Sequence, residues 1–409
     1  MTRELDSRPD LVALADPANP LLWVRGDRGC VGIGEVLRLR FRGPNRFAEA
    51  GAAWRELAAA ARVTDPIARP GSGLIALGTF AFSDESAAES VLVVPRRLIA
   101  RDGDLAWVTD FSLDGAPEAL PIPEATPIGS LSADPGFLPG AFSEAGYRAA
   151  VATTTDRIDA GLVEKVVLAR DLRGELAANS DLRRPLGRLA EGYLDCWTFA
   201  VDGMLGASPE TLIRSTDGGV SARVLAGTAP RDSDPSRDTA SRDGLVGSDK
   251  NQQEHAFAVR SVTEALGPFI SELSLSPVPF ALKLPNVWHL ATDLTARLTA
   301  GATAIELAGA LHPTAAIAGT PTPVAIAEIA AQEPFDRGRY SGAVGWIGGS
   351  GDGEWAIALR CAQVEGSAGS EPRAITAYAG GGIVAGSDPA TELAETHSKF
   401  RPILDAFGA

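Results

Sequence analysis

The chain has 409 residues, 52 of them acidic and 37 basic, for a formal charge of −15 at pH 7. That length holds one large domain or two ordinary ones, and 45% hydrophobic with 22% charged residues marks a folded globular chain rather than a disordered one. The acidity argues against nucleic acid and anionic membrane surfaces as partners, since both need a basic field, but leaves room for a small anion met by a few placed cations and a metal.

Forty-four glycines and 28 prolines imply many turns between short extended runs, which predicts a β-rich α+β fold. A strand over 21–25, the turn Gly26-Asp27-Arg28-Gly29 and a strand over 35–41 lead to a helix over 46–61. Strands follow at 74–80, 91–99 and 105–108, with Asp102-Gly103 as a hairpin turn. Residues 114–140 carry six prolines and read as a surface crossing between a 1–140 portion and a 141–409 portion of one fold. Beyond it the pattern predicts a helix over 143–160 capped by Ser143, strands at 165–172, 196–201, 210–215 and 220–225, and a long helix over 248–273. Strands at 355–364 and 375–378 precede a last helix, with Ser387 as its N-cap and Pro389 in its first turn.

The longest uncharged run, 307–327, is broken by Pro313, Pro321 and Pro323 and does not read as a membrane span. The start, MTRELDSRPD, has no apolar core after a basic residue, so no secretory leader is expected. Cys30, Cys196 and Cys361 are scattered and odd in number, which fits neither a disulfide framework nor a structural zinc site. A cytoplasmic monomer is the expectation.

Several residues invite two readings. Glu392, Glu395 and Lys399 share one face of the last helix, either as a solvated face with an i,i+4 pair or as carboxylates for a hard cation beside a lysine for an anion. Gly380, Gly381 and Gly382, placed between a strand and that helix, make either a tight turn or a backbone that a ligand can approach closely; they fit the dinucleotide fingerprint poorly. Lys165, amid Val163, Val166, Val167 and Leu168, is an edge residue reaching water or a partly buried amine able to act as a base. Glu210 reads as a strand-entry glutamate, Gly227 and Thr228 as a turn, and Glu254 as a dipole partner near a helix start. The four histidines, His255, His289, His312 and His397, form no zinc or triad spacing.

Each signal alone is weak, but their order is not. KVVLAR, SPE, LAGTAPR, SDKNQQEH, NVWHLATDL, LHPTAAIAGTP, EPFDRGRYSGAVGW, GEWAIALRC and AYAGGGIVAGSDPATELAETHSK follow one another along the chain. This string resembles the chorismate-utilising enzymes, most of all their isochorismate synthase branch, from about residue 143 to the C-terminus. The N-terminal third is similar less tightly. The resemblance implies two packed antiparallel β-sheets with outer helices, the fold of anthranilate synthase component I, together with Mg²⁺ dependence and chorismate as substrate. It implies that Lys165 activates water, that Glu210 is the general acid, and that Glu254 and Glu395 hold the metal with Glu392 in the same carboxylate group. It places Gly227, Thr228, Arg360, Gly380, Gly381, Gly382 and Lys399 around the substrate carboxylates, with Tyr340 and His289 in the pocket.

Aminating relatives typically carry Gln where this chain has Lys165, which favours water over ammonia as nucleophile. Ala316, in the HPTAA word, leans towards release of isochorismate rather than the further pyruvate elimination of salicylate synthases. A binding protein without catalysis would be expected to lack Lys165, Glu210 or the metal carboxylates, and all are present. Menaquinone and siderophore synthesis both remain open as destinations.

Overall fold

A short apolar strand pairs along its edges but still has a face to bury, so many such strands collect into sheets that cover one another. The computed structural model describes residues 1–115, 121–129, 131, 134–232, 234–283, 287–366 and 372–408, and gathers their strands into one sheet of twelve and one of ten. All pairings are antiparallel. Both sheets mix strands from before and after residue 140. In the larger sheet Leu21–Arg25 pairs with Trp197–Val201, and in the smaller Ile75–Thr79 pairs with Ala343–Gly348.

Between the sheets lie Trp23, Trp197, Phe199, Leu77, Tyr340 and Trp346. Helices cover the outer faces. Arg46–Ala60 and Ala304–Leu311 bring Phe47, Trp54, Ile305 and Leu307 into one cluster, while Arg183–Gly192 and Pro389–Phe407 bring Leu186, Leu189, Phe400 and Ile403 into another. Among the described residues no helix is long and apolar enough to cross a membrane. The uncharged run 307–327 is the end of one helix, a loop, the short strand Gly319–Thr320 and the start of the helix Thr322–Gln332. The three cysteines are free.

Several boundaries differ from the sequence pattern, each for a local reason. The run 91–99 is two strands in different sheets, Ser90–Val94 and Arg97–Asp102, broken at Pro95, which has no N–H to donate. The run 355–364 likewise splits into Gly353–Ile357 of the smaller sheet and Cys361–Val364 of the larger, and Arg360 at the crossing has φ 48. The helix expected over 248–273 stops at Leu266, because Gly267 and Pro268 end it, and Ile270–Leu275 continues as an edge strand. The last helix is capped by Asp388, which accepts from the Thr391 N–H, rather than by Ser387. The final strand runs over Arg373–Ile383, so the three glycines lie inside a strand and not in a loop. Arg183–Gly192, Pro235–Val246, Ala304–Leu311 and Thr322–Gln332 are further helices that the apolar pattern did not single out.

The hairpin of Thr211–Thr216 and Gly219–Pro230 starts beside Glu210 and carries Gly227. Its tight end, Asp217-Gly218 with φ 51 and 71, is held by the buried carboxylate of Asp352. That group accepts from Ser215 Oγ at 2.6 Å, Asp217 N–H at 2.9 Å and Gly218 N–H at 3.1 Å. Removing it leaves buried donors unpaired, so Asp352→Ala should destabilise the protein by roughly 2–4 kcal/mol. Thermal and urea unfolding will read this; an unchanged midpoint would show that the hairpin end holds without it.

Candidate active site

Lys165 opens the strand Lys165–Leu176, and Glu210 directly precedes the strand Thr211–Thr216 of the opposite sheet. Both side chains are half-buried. Burial pushes the Lys165 amine below its ordinary value, with Lys399 adding to the shift and Glu210 opposing it. Burial pushes the Glu210 carboxyl up, opposed by Lys165 and Arg360. Low polarisability around a charge favours the uncharged form of both groups, which for an amine is the base and for a carboxyl is the acid.

The strand Arg373–Ile383 lies against Lys165–Leu176, with Gly382 opposite Val167, Gly381 opposite Leu168 and Gly380 opposite Ala169. Alternation sends the glycines to two faces. A Cβ on Gly382 would stand 2.9 Å from Lys165 Cε, and one on Gly380 would stand 3.2 Å from the Tyr340 hydroxyl. On the opposite face a Cβ on Gly381 would stand 3.1 Å from Glu392 Oε2 and 4.0 Å from Glu395 Oε1. The missing side chains therefore give room to Lys165 on one side and to the carboxylates of the last helix on the other. On its other edge, the strand's pairing with Cys361–Val364 ends at Tyr378, and the Gly380 carbonyl instead accepts from Lys399 Nζ at 2.7 Å.

Lys399 also pairs with Glu395, the i,i+4 partner read from the sequence. Glu392 accepts from Ser387 Oγ at 2.7 Å, while its Oε2 is buried with no hydrogen-bond partner. Burial raises its pKa and the nearby Glu395 adds to this. An orphaned buried carboxylate oxygen beside a second carboxylate fits a hard cation, which takes oxygen ligands and offsets both charges. Glu254 does not join them. It is exposed on the helix Asp249–Leu266, of which only His255 and Leu266 are buried, and it pairs with Lys250 at 3.7 Å. Among the described residues no three His, Cys, Asp or Glu side chains converge as a metal-holding group. Three carboxylates repel one another, and Glu254 sits with a lysine instead.

Gly227 is the extra residue of a bulge between Ala226 and Thr228, with φ 79. A bulge turns the local backbone, and here it brings the Gly227 carbonyl 3.3 Å from His289 Nδ1. Burial holds His289 below its ordinary pKa, and Lys165 acts in the same direction, which places this imidazole near the amine. Thr228 pairs with His289 through the backbone, and its side chain lies outside the described residues. Tyr340 is buried and stacked on Tyr378 with centroids 5.1 Å apart, its hydroxyl pushed up to about 12 by burial. Arg360 is half-buried where the chain changes sheets, close enough to Glu210 to favour its ionised form. Ala316 is exposed in the loop after the helix Ala304–Leu311.

Two neighbours escaped the sequence reading. Tyr147, buried in the helix Glu144–Asp159, donates to the Leu168 carbonyl at 3.5 Å and faces Gly381 and Glu392. In sequence it is an aromatic on an apolar helical stripe, which reads as core. Ser387 reads as a helix cap but instead holds Glu392. The remaining histidines are structural. His255 lies between the Ala226 carbonyl and Thr292 Oγ1, His312 is buried against the Ser341 carbonyl with a pKa lowered to about 4, and His397 pairs with Glu144.

A family model described as "Chorismate binding enzyme" matches residues 139–408. A Mycobacterium tuberculosis protein provisionally named isochorismate synthase MenF is 44% identical over 260 residues, 61% of this chain and 68% of its own. Isochorismate synthase DhbC of Bacillus subtilis is 39% identical over 274 residues, 64% of this chain and 67% of its own. The solved structure of MenF, the menaquinone-specific isochorismate synthase from Escherichia coli, superimposes with a TM-score of 0.74 at 25% identity, covering 100% of this chain and 94% of that one. With a family match over about two thirds of its length and the same two-sheet architecture as a solved relative, the chain belongs to the chorismate-binding enzymes.

Proposed function

We infer that this chain is an isochorismate synthase, an isomerase that moves the chorismate hydroxyl from C4 to C2. One observation carries the mechanism proposed here: an amine and a carboxyl from opposite sheets, each driven by burial towards its uncharged form. Water attacks C2, neutral Lys165 takes its proton, and protonated Glu210 gives a proton to the C4 oxygen as it leaves as water. One water enters and one departs, so substrate and product are isomers. Proton exchange between the charged lysine and glutamate then resets the pair.

Other residues bind and orient. Arg360, Lys399 and the open backbone of Gly380, Gly381 and Gly382 supply donors and positive charge for the substrate carboxylates, with Gly227 and Thr228 on the opposite sheet. Tyr340 and His289 line the pocket between them. Glu392 and Glu395 are the residues proposed to hold Mg²⁺, which would supply positive charge for a substrate carboxylate, whereas Glu254, exposed and paired with Lys250, stands apart from them. Chorismate is thus the proposed partner and Mg²⁺ the proposed cofactor of a cytoplasmic monomer. Relatives named as isochorismate synthases, with Ala316 in the HPTAA word, favour release of isochorismate over pyruvate elimination. The product fits either menaquinone or siderophore synthesis.

Purified protein incubated with chorismate and Mg²⁺ should give isochorismate on chromatography without pyruvate, and EDTA should stop the reaction until Mg²⁺ is restored. Salicylate with stoichiometric pyruvate would replace this reading by a salicylate synthase, and EDTA-insensitive turnover would remove the metal. Lys165→Gln and Glu210→Gln should each lower kcat by roughly 10²- to 10⁴-fold with the fold intact by circular dichroism. Turnover near wild type in either would end that residue's role. Turnover needs Lys165 deprotonated and Glu210 protonated, so the rate should climb as the depressed amine loses its proton and fall as the raised carboxyl loses its own. A bell in kcat/KM against pH is the expected outcome, and a flat profile would contradict the pair.

A further inference from the structure

The strand Lys165–Leu176 has the strand Arg373–Ile383 along one edge, but its other edge is covered only in patches. Gly319–Thr320 pairs with Lys165 and Val166, and Leu138–Pro139 pairs with Leu172 and Arg173. In the stretch between them the Val167 N–H still donates to the Ala318 carbonyl at 2.8 Å and the Asp171 carbonyl accepts the Gly140 N–H at 3.0 Å, but among the described residues the Val167 carbonyl and the Ala169 N–H face no neighbouring strand.

A buried ion pair takes these two groups instead. Glu333 Oε1 accepts the Ala169 N–H at 2.8 Å, and Arg337 Nη2 donates to the Val167 carbonyl at 2.6 Å. The two side chains join through Arg337 Nε and Glu333 Oε2 at 2.8 Å and are each 2% exposed. A third arm of the guanidinium, Nη1, donates to the Ile317 carbonyl at 3.0 Å, in the loop that carries Ala316. Its plane also lies over Phe82 at 4.5 Å and near Tyr340 at 5.9 Å. One guanidinium thus ties the strand that Lys165 opens, the Ala316 loop and the ring of Tyr340. Ala169 in turn stands opposite Gly380.

We propose that Glu333 and Arg337 are positioning residues for this reaction: together they stand in for a missing strand and fix the Lys165 strand against the glycine strand and the Ala316 loop. Neither is placed among the groups that touch substrate. The inference rests on the isochorismate synthase reading for its kinetic readout, but not for its structural one. Arg337 is suited to the task because a planar fork reaches three acceptors at once, and a lysine in its place keeps the charge beside Glu333 without that reach.

Arg337→Lys and Glu333→Gln are compared with wild type for kcat, KM, the pH profile and unfolding. The expected result for folded Arg337→Lys is a kcat about 10- to 100-fold lower with KM changed much less, since a displaced base slows the chemical step more than binding. The limb of the pH profile that follows Lys165 should also move, which a general loss of stability would not produce. Glu333→Gln keeps an acceptor for Ala169 and should fall between the two. Hydrogen exchange of the wild-type protein supplies a measurement that needs no variant: the Ala169 amide should exchange as slowly as amides within the paired strands. Folded Arg337→Lys with wild-type kcat and pH profile, or a fast-exchanging Ala169 amide in the wild type, would overturn the proposal. Wild-type protein inactive on chorismate, with that amide protected, would instead strike the functional reading and leave the clamp standing.

Discussion

The arrangement depends on taking two ionisable groups of opposite type partly out of water in one cleft. In bulk solvent a lysine is a cation and a glutamate an anion, and neither could act as the base and acid proposed here. Burial penalises both charges, and the mutual attraction of the pair only partly restores them. Two sheets are needed for this, because each supplies one of the groups and together they exclude solvent from both.

The rest of the cleft follows from how the chain passes between those sheets. Arg360 lies where the chain leaves the smaller sheet for the larger, in a left-handed conformation that a regular strand does not allow. Gly227 sits in a bulge that turns its carbonyl to His289. Three consecutive glycines leave one face of a strand open to Lys165 and Tyr340 and the other to Glu392 and Glu395. Irregular backbone thus gathers where ligand and side chains must approach closely, while the regular parts of the same strands hold the register.

A net charge of −15 is compatible with a dianionic substrate because the sign that matters is local. Arg360 and Lys399 bring positive charge to the cleft, and Glu395 of the last helix pairs with Lys399. The same helix serves the large sheet through Phe400 and Ile403, so one element packs the core and presents the charged face.

Local chemistry alone made much of this legible. The helices Arg46–Ala60 and Glu144–Asp159, the Asp102-Gly103 turn and the i,i+4 partnership of Glu395 with Lys399 follow from periodicity, capping and spacing, which act over a few residues. The ordered words resembling the chorismate-utilising enzymes gave the family and the two-sheet fold. What only the tertiary structure decided depends on partners far apart in sequence. The splitting of 91–99 and 355–364 between two sheets reflects which strands were available to pair. The choice of Lys165 as a half-buried amine required Glu210 and Gly382 beside it, and the work of Glu333 and Arg337 required an uncovered strand edge more than 160 residues earlier in the chain. A residue type and its spacing fix what a side chain can do; burial and neighbours, which only the folded chain supplies, fix which of those things it does.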